Sequence, residues 1–527
     1  MLQMSPDITS LRRIPNGSGR SGPLSPVRSL RAATQALAVA AVAVAAFAAA
    51  PPALAAEEAT APPDSRLADA AALYDLWAGE QLAYNGVPGV VVGVVSGGRL
   101  AWAKGYGTTD LSGGSPLTPA TRFRIGSVSK VFTATAILQL RDAGRLRLDD
   151  PVAKHLPWFK VPSPFPTAPP ITIEHLLTHT SGLSREAPFD AWTTHEFPTR
   201  EELRAAMPRV TVISPPGKTY RYSNLGLALL GEVVAAASGE GWADYVRAHI
   251  TAPLGMSSTT GAPTAAEIAA LPRQHRRRQP DGRRGTLAYY DTGAIAPAAA
   301  IVSTLEDLAR FAALQLTADP AGAPAGGAQV LSGPTLAEMQ RPHFVNAGWT
   351  GGRGLGWGVS RRNGRTYVSH GGWIGGHRAD LVLDPDRGLA AIALTNADDA
   401  SPGFFARQAL AVVGGALELS RTQTTPAPVA AAVRPDPLWK RYVGTYTDPW
   451  DWEIEVLVLD GGLALYEHGY PPEDDAEAGI SRLTPTGAET FRLPDGETLR
   501  FELDAAGKVT RMYRRSDYYL PRKNVSE

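Results

Sequence analysis

The sequence predicts an α/β domain followed by a small all-β domain that forms an antiparallel barrel. Helix-like and strand-like hydrophobic patterns are interspersed between residues 65 and 415, as in α/β proteins. A Thr-, Pro- and Ala-rich stretch then breaks both patterns and is typical of an interdomain linker. Beyond it, short apolar segments and tight turns indicate an antiparallel fold. We therefore divide the chain into a leader at 1–56, a main domain at 57–420, a linker at 421–436 and a tail domain at 437–527.

The leader has the pattern of a secretory signal peptide. Residues 1–31 contain five arginines and one acidic residue, and an Ala- and Val-rich run precedes the sequence Ala53-Leu54-Ala55-Ala56. A basic segment, an apolar segment and an A-x-A site in this order predict cleavage near Ala55 or Ala56. The alternative is an uncleaved anchor, because about 19 apolar residues can just span a bilayer. Alanine is weakly apolar, so we expect cleavage and a secreted or periplasmic protein without a stable membrane anchor.

Hydrophobic periodicity locates the elements of the main domain. A 3.6-residue period predicts helices, whereas short apolar or alternating runs predict strands. The predicted helices cover 65–84, 127–144, 225–237 and 304–316. The predicted strands cover 90–95, 100–105, 354–359, 367–368, 379–383 and 389–395, and a turn through Gly97 and Gly98 joins the first two. An Ala-, Gly- and Pro-rich stretch at 317–327 predicts a surface loop.

The tail domain is predicted from strands alone. These strands cover 442–446, 452–459, 463–466, 491–493, 498–503 and 509–514. Glycine-containing turns lie at 460–462, 494–496 and 505–507. We expect the tail domain to pack against the main domain and narrow the mouth of its cleft; a ligand site of its own is the alternative.

Composition excludes several classes of function. The 527 residues include 51 basic and 51 acidic side chains, are 44% hydrophobic, and contain no cysteine. A chain this apolar is not disordered, and the missing thiols exclude disulfides, thiolate metal sites and a cysteine nucleophile. The charge balance argues against nucleic-acid binding. No phosphate-binding glycine motif is present, so we expect no cofactor. His175 and His179 are a weak metal candidate without a third ligand, and we expect no metal.

The sharpest local feature is Ser127-Val128-Ser129-Lys130 at the predicted start of a helix. Of the eight lysines, only Lys130 has a serine three residues before it. Residues three apart share a helix face, and the helix dipole stabilises a developing alkoxide at its N-terminus. A lysine whose pKa is lowered by partial burial can accept the serine proton. The alternative is an N-cap serine with a solvated lysine.

Two further motifs offer polar groups to the same site. Tyr222 and Asn224 are two apart in a predicted extended stretch, so a phenol and an amide face one pocket; the alternative is a core tyrosine followed by an Asn N-cap. A nearby lysine cation would favour the phenolate. Ser369-His370-Gly371-Gly372-Trp373 places paired glycines on a predicted strand, which is typical of close backbone approach.

Together, Ser127-x-x-Lys130, Tyr222-x-Asn224 and His370-x-Gly372 resemble the motifs of the serine β-lactamase/penicillin-binding protein superfamily. The chain is similar to its class C branch of β-lactamases, DD-peptidases, D-aminopeptidases and esterases, over residues 68–415. Segments 171–183, 253–256, 303–308 and 354–358 reinforce the resemblance. It implies a β-lactamase/transpeptidase-like α/β fold, with an antiparallel sheet flanked by helices plus an all-helical subdomain. The tail resembles the lipocalin-like barrel appended to such enzymes.

The resemblance implies roles for the first two motifs. Ser127 would be the nucleophile and form an acyl-enzyme. Lys130 and Tyr222 would transfer protons during acylation and then activate the water for deacylation. Asn224 would hydrogen-bond the amide side chain of a substrate.

The third motif departs from that of class C β-lactamases. His370 and Gly372 would contact substrate, and the backbone amides of Ser127 and Trp373 would form the oxyanion hole. A Lys-Thr-Gly triplet stands at this place in the β-lactamases. Histidine is mostly neutral at pH 7, so it attracts a substrate carboxylate less strongly. This departure argues against efficient β-lactamase activity and for D-aminopeptidase- or esterase-like chemistry.

The sequence therefore predicts an exported serine hydrolase that acts on an amide, a D-amino-acid-containing peptide or an ester. The alternatives are a class C-like β-lactamase and a non-catalytic protein that binds penicillin or cell-wall peptides. We expect a small-molecule or peptide substrate, with cell-wall peptides among the candidates, and no nucleic-acid partner. The arginine-rich segment at 273–284 predicts a solvated loop; docking to an anionic cell-wall polymer is the alternative.

Overall fold

An eight-stranded antiparallel sheet forms the centre of the main domain, with strands in the order β2-β1-β12-β11-β10-β9-β8-β7. The computed structural model describes residues 65–317, 329–348, 350–362, 364–422, 437–447, 453–459, 462–468, 475–477, 479–514 and 518–523. The predicted signal peptide, most of the 317–327 loop and nearly all of the linker lie outside these residues. The strands are β1 (Gly89–Ser96), β2 (Arg99–Gly107), β3 (Phe123–Arg124), β4 (Gln274–His275), β5 (Thr286–Leu287), β6 (Val302–Ser303), β7 (Phe344–Val345), β8 (Gly351–Arg353), β9 (Gly358–Arg362), β10 (Arg365–Ile374), β11 (His377–Asp384) and β12 (Leu389–Thr395).

Helices cover both faces of this sheet. Their bounds are α1 (Ser65–Asn85), α2 (Ser129–Asp142), α3 (Val152–His155), α4 (Ile173–Leu177), α5 (Ala191–Thr194), α6 (Arg200–Ala206), α7 (Asn224–Ser238), α8 (Trp242–Val246), α9 (Ala265–Ala269), α10 (Ala296–Ala299), α11 (Leu305–Leu316), α12 (Gly333–Gln340) and α13 (Pro402–Thr422). Helices α1 and α13 pack on one face, whereas α11 packs on the other. Helices α2, α7 and α10 pack together beside the sheet. No helix in the described ranges combines the length and hydropathy needed to cross a membrane.

Strand β1 is a continuous apolar run because helices cover both of its faces. Val91 and Val95 enter the core beneath α11, while Val90, Val92 and Val94 enter the core beneath α1 and α13. Successive side chains of a strand point to opposite faces, so a strand covered on both sides needs apolar residues at every position. The β-lactamase-like α/β architecture implied by the resemblance is thereby present: an antiparallel sheet with helices on both faces.

Most predicted elements agree with the structure, and two of the differences in their boundaries bear on the site. Residues 354–357 form a turn instead of a strand, and β9 begins only at Gly358. Gly356 has φ of +80° and a Cβ there would lie 2.6 Å from that of Ala134 in α2, a conformation and a contact that suit glycine. The second difference is at Ser127, which lies in a 3₁₀ turn (Gly126–Val128) before α2 starts.

The tail consists of two open sheets in the described residues. One contains β13 (Gly444–Thr447), β14 (Glu453–Leu459), β15 (Gly462–Glu467) and β16 (Ile480–Arg482); the other contains β17 (Thr484–Pro485), β18 (Thr490–Arg492), β19 (Thr498–Leu503), β20 (Val509–Arg514) and β21 (Tyr518–Pro521). An isolated bridge between Tyr446 and Arg522 connects their outer strands. This pairing establishes an antiparallel all-β tail, but it does not establish a closed barrel.

The tail packs against α1 through a polar contact and an apolar one. The Tyr466 hydroxyl donates to Glu80 Oε2 over 2.6 Å, and His468 Nδ1 contacts the other oxygen of Glu80. Tyr466 also joins the core shared by α1 and α13. The tail therefore rests on the α1 side of the main domain.

Candidate active site

Two close backbone approaches place Ser127 against β10. Gly126 has φ of +51°, and a Cβ at this position would lie 2.7 Å from Trp373 N. A Cβ at Gly372 would lie 1.9 Å from Ile125 O and 3.2 Å from Ser127 N. Only glycine fits such contacts with backbone atoms. Gly126 and Gly372 thus let β10 and the 3₁₀ turn meet, which brings the segments carrying the predicted oxyanion amides side by side.

Lys130 is fully buried and directed at the Ser127 hydroxyl. Its Nζ lies 3.0 Å from Ser127 Oγ, 2.8 Å from Asn224 Oδ1 and 2.8 Å from Ala298 O. Burial lowers the pKa of Lys130 well below its ordinary value, and the Arg185 cation lowers it further, against the opposing charge of Glu186. The ammonium or amine nitrogen thus lies within hydrogen-bonding distance of the serine hydroxyl and of two oxygen acceptors that hold it in place.

Tyr222 approaches the same hydroxyl from another element. Its OH donates to Ser127 Oγ over 2.7 Å, and its ring lies beneath Lys130 Nζ at 4.9 Å. Burial raises the pKa of Tyr222 to about 12. The expected phenolate is therefore not the resting form, because burial of the phenol outweighs the neighbouring Arg185 cation, which lowers the pKa of Tyr222. The resting tyrosine is a hydrogen-bond donor.

The structure excludes the structural alternatives for both motifs. Lys130 is buried instead of solvated, and no side chain caps the start of α2. The residue that caps α7 is Ser223, whose Oγ accepts from Gly226 N over 3.0 Å. The Asn224 side chain therefore does not cap α7, and its amide contacts the groups of the site instead.

Asn224 connects Lys130 to an acidic residue that the sequence motifs do not contain. Its Oδ1 accepts from Lys130, and its Nδ2 donates to Glu186 Oε1 over 2.5 Å. Burial raises the pKa of Glu186. With both ends of its amide engaged, Asn224 holds the lysine in place in this structure; its contact with substrate stays a prediction.

His370 and Trp373 occupy the β10 edge of the site. His370 Nδ1 donates to Gly371 O over 2.7 Å, and burial, together with the nearby Lys130, lowers the pKa of His370 well below its ordinary value. Its imidazole is therefore neutral at pH 7, as expected from its ordinary pKa. The Trp373 ring is 40% exposed, stacks on Trp192 at 5.8 Å and donates to Asp398 Oδ1 over 2.7 Å.

These groups open into a cleft of about 600 Å³. Ser127, Tyr222 and His370 line it, and its other charged lining residues are Arg185, Arg353, Arg378, Asp380 and Arg407. In the described part of the chain, the lining contains no residue of the tail domain, so the expected narrowing of the cleft by the tail finds no support here.

Sequence reasoning missed several supporting groups. The carbonyl of Ala298 and the carboxyl of Glu186 are distant in sequence from Lys130 and carry no local motif, so nothing in the sequence signals them. His179, considered for metal binding, packs on the Tyr222 ring at 4.5 Å, and its Nδ1 accepts from Ser223 N. His175 instead completes the cap of α4. Both histidines thus have structural contacts in this region.

A serine hydroxyl contacted by a buried lysine and a tyrosine defines the class of serine hydrolases that form acyl-enzymes. The chain belongs to the β-lactamase family, since the family model "Beta-lactamase" matches residues 75–415. Its superfamily includes penicillin-binding proteins, carboxypeptidases, D-amino-acid amidohydrolases and class C β-lactamases.

Three relatives illustrate the match. The chain is 31% identical over 332 residues to "Penicillin-binding protein 4" of Amycolatopsis lactamdurans, covering 60% of this chain and 83% of the relative. A D-stereospecific amidohydrolase from Streptomyces sp. aligns with a TM-score of 0.53 and 26% identity, covering 65% of this chain and 98% of that one. An octameric penicillin-binding protein homologue from Pyrococcus abyssi aligns with a TM-score of 0.58 and 23% identity, covering 85% and 99%, and shares the fold.

Proposed function

We propose that this protein is an exported serine hydrolase that cleaves an amide, a D-amino-acid-containing peptide or an ester through an acyl-enzyme on Ser127. The observation that carries this proposal is the convergence of Lys130 Nζ at 3.0 Å and Tyr222 OH at 2.7 Å on one serine hydroxyl. A proton acceptor and a proton donor at a nucleophile are the minimum that acyl transfer requires. The similarity to a D-stereospecific amidohydrolase favours amides of D-amino acids among the substrates.

In acylation, neutral Lys130 takes the Ser127 proton as Oγ bonds to the substrate carbonyl carbon. The amides of Ser127 and Trp373 stabilise the oxyanion that forms. Tyr222 then passes its proton to the leaving amine or alcohol and regains one from the Lys130 ammonium, and the carbon–leaving-group bond breaks. In deacylation the same pair takes a proton from water, whose oxygen bonds to the ester carbonyl carbon. The bond between that carbon and Ser127 Oγ then breaks, Oγ receives the proton, and the acid product leaves.

Penicillin binding is the second candidate, because this chain aligns with 83% of the length of a penicillin-binding protein at 31% identity. A β-lactam would acylate Ser127 by the same steps. The neutral His370 would attract the β-lactam carboxylate weakly, which favours slow acylation over efficient β-lactamase turnover.

A substrate panel tests these proposals. The purified protein is compared with Ser127→Ala on a chromogenic cephalosporin, a D-Ala-D-Ala peptide, a D-amino-acid anilide and a p-nitrophenyl ester, and both are exposed to fluorescent penicillin and a fluorophosphonate. Ser112→Ala, at an exposed position, is the matched control and should behave as wild type. We expect turnover and labelling that Ser127→Ala abolishes. Equal behaviour of Ser127→Ala and wild type on every substrate and probe would refute the hydrolase proposal, and stoichiometric labelling without turnover would favour the binding protein.

Export has its own test. Expression of the full chain in a bacterial host should yield a protein outside the cytoplasm. N-terminal sequencing of that protein should show cleavage near Ala55 or Ala56. A cytoplasmic protein that retains residues 1–56 would contradict the proposed export.

A further inference from the structure

We propose that the substrate cleft continues into a second lobe that binds an acidic group of the substrate, away from the bond that is cleaved. The inference rests on the proposed function, because it assigns a substrate class to the same site. The lobe has a volume of about 350 Å³, and its charged lining residues are Arg362, Arg365, Arg387 and Arg407.

Strand register places two of these arginines, Arg362 and Arg365, on one face of the sheet. Arg362 in β9 pairs with Arg365 in β10, so the two side chains share a face. Ser369 lies on that face too, because it is four residues along β10 from Arg365. Helix α13 covers this face over β11 and β12 and supplies Arg407 to the edge of the lobe. The lobe is thus a groove between α13 and the β9–β10 hairpin.

The lobe is continuous with the catalytic cleft. Ser369 and Arg407 line both spaces, and Ser369 is directly followed by His370. Strand β9 begins at Gly358, opposite Ser369, so in the described pairing β10 continues past Ser369 with β11 alone. A substrate can therefore pass along this edge from Ser127 into the arginine lobe.

Part of the positive charge of the lobe has no carboxylate beside it in the described residues. Arg362, Arg365 and Arg407 are exposed, and in the described residues none of the three has a carboxylate oxygen within 4.0 Å. The acidic neighbours serve other groups: Asp384 and Glu418 bind Arg387, and Asp386 accepts from Thr366 N. Asp380 lies near Arg407, whose cation lowers the pKa of that carboxyl, so Asp380 offsets part of the Arg407 charge.

This pattern selects for an anionic ligand. Guanidinium groups bind carboxylates through two parallel hydrogen bonds, and Arg362 and Arg365, which have no carboxylate within 4.0 Å in the described residues, make the space electropositive. We therefore assign the lobe to a carboxylate carried by a peptide substrate, a few residues from the scissile bond.

Matched peptides test the assignment. Peptides ending in D-Ala-D-Ala carry Glu or Gln at each of the three preceding positions, and kcat/KM is measured for each pair with wild type, Arg362→Gln/Arg365→Gln and Arg361→Gln. Arg361 is the control, because it precedes Arg362 on β9 and its side chain faces the opposite side of the sheet. For at least one position, the kcat/KM of wild type should be roughly tenfold higher for the Glu peptide than for the Gln peptide. This preference should shrink in 0.5 M salt, where the electrostatic screening length is about one third of its low-salt value. The double variant should lose the preference, whereas Arg361→Gln should retain it.

Binding to Ser127→Ala separates this inference from the hydrolase proposal. Fluorescence anisotropy of the labelled Glu and Gln peptides, with Ser127→Ala alone or combined with the two arginine substitutions, reports affinity without chemistry. Tighter binding of the Glu peptide that requires both arginines supports the lobe even if no hydrolysis occurs. Equal binding of the Glu and Gln peptides overturns the inference. It does so even if inorganic phosphate is found to bind in the lobe as a free anion. Normal hydrolysis with no Glu preference also overturns it, while leaving the hydrolase proposal intact.

Discussion

Replacing Lys130 with methionine should abolish most activity while leaving a folded protein. Methionine has a similar length and no proton to exchange, so Lys130→Met removes the group 3.0 Å from Ser127 Oγ. General-base catalysis contributes roughly 100- to 10,000-fold to rates of this kind, and kcat/KM for a p-nitrophenyl ester should fall by that factor. Lys104→Met is the matched control, because Lys104 is exposed and pairs with Asp75 on the surface. It should retain wild-type activity.

The structure also fixes the effect of this substitution on stability. Lys130→Met leaves Ala298 O and Asn224 Oδ1 without their donor, at a cost of about 1–3 kcal/mol each. Wild type carries an opposing penalty: burial lowers the pKa of Lys130, so the folded state binds fewer protons than the unfolded state between the lowered pKa and its ordinary value of 10.5. Wild-type stability should therefore rise with pH across that interval, and the variant should lack this rise.

Two measurements check the reasoning. Urea unfolding at several pH values reports the slope, and the pH dependence of Ser127 labelling by fluorophosphonate reports the base. The labelling rate should increase as Lys130 loses its proton, with a midpoint well below 10.5. A folded Lys130→Met protein with wild-type kcat/KM, or a wild-type labelling rate that is flat up to pH 10.5, would refute the role of Lys130 as proton acceptor.

Three further outcomes are expected. Tyr222→Phe removes the donor 2.7 Å from Ser127 Oγ and should lower kcat/KM by roughly 100- to 1000-fold in steady-state assays, with an unchanged circular dichroism spectrum; activity within a factor of two of wild type would contradict its role. Gly372→Ala puts a Cβ 1.9 Å from a backbone oxygen and should lower stability by about 1–3 kcal/mol as well as activity, whereas Gly415→Ala, with open space around it, should do neither in thermal unfolding and activity assays. Burial raises the pKa of Asp380 to about 6 from an ordinary 3.8, so its contribution to stability is full below about 3.8 and is lost as pH rises through about 6; urea unfolding from pH 3 to 7 should show this loss in wild type and its absence in Asp380→Asn.

Local chemistry made much of the fold predictable. The helices α1, α7 and α11 and the strands β1, β2 and β12 follow from periodicity and from their flanking glycines, because each is long, strongly patterned and bounded by turn residues. Short elements such as β7 and β8 could not be predicted, because two or three residues are too few to show a hydrophobic period. Barrel closure in the tail could not be decided by pattern either, because it depends on which outer strands pair.

The sequence by itself identified the candidate reactive residues, since Ser127, Lys130 and Tyr222 stand in motifs that can be recognised along the chain. Only the tertiary structure decided their states. The pKa values of Lys130 and Tyr222 depend on burial, and burial is a property of the packed core that no local spacing encodes. The carbonyl of Ala298, the carboxyl of Glu186 and the arginine lobe come from segments far apart in the chain, and folding alone brings them to the site.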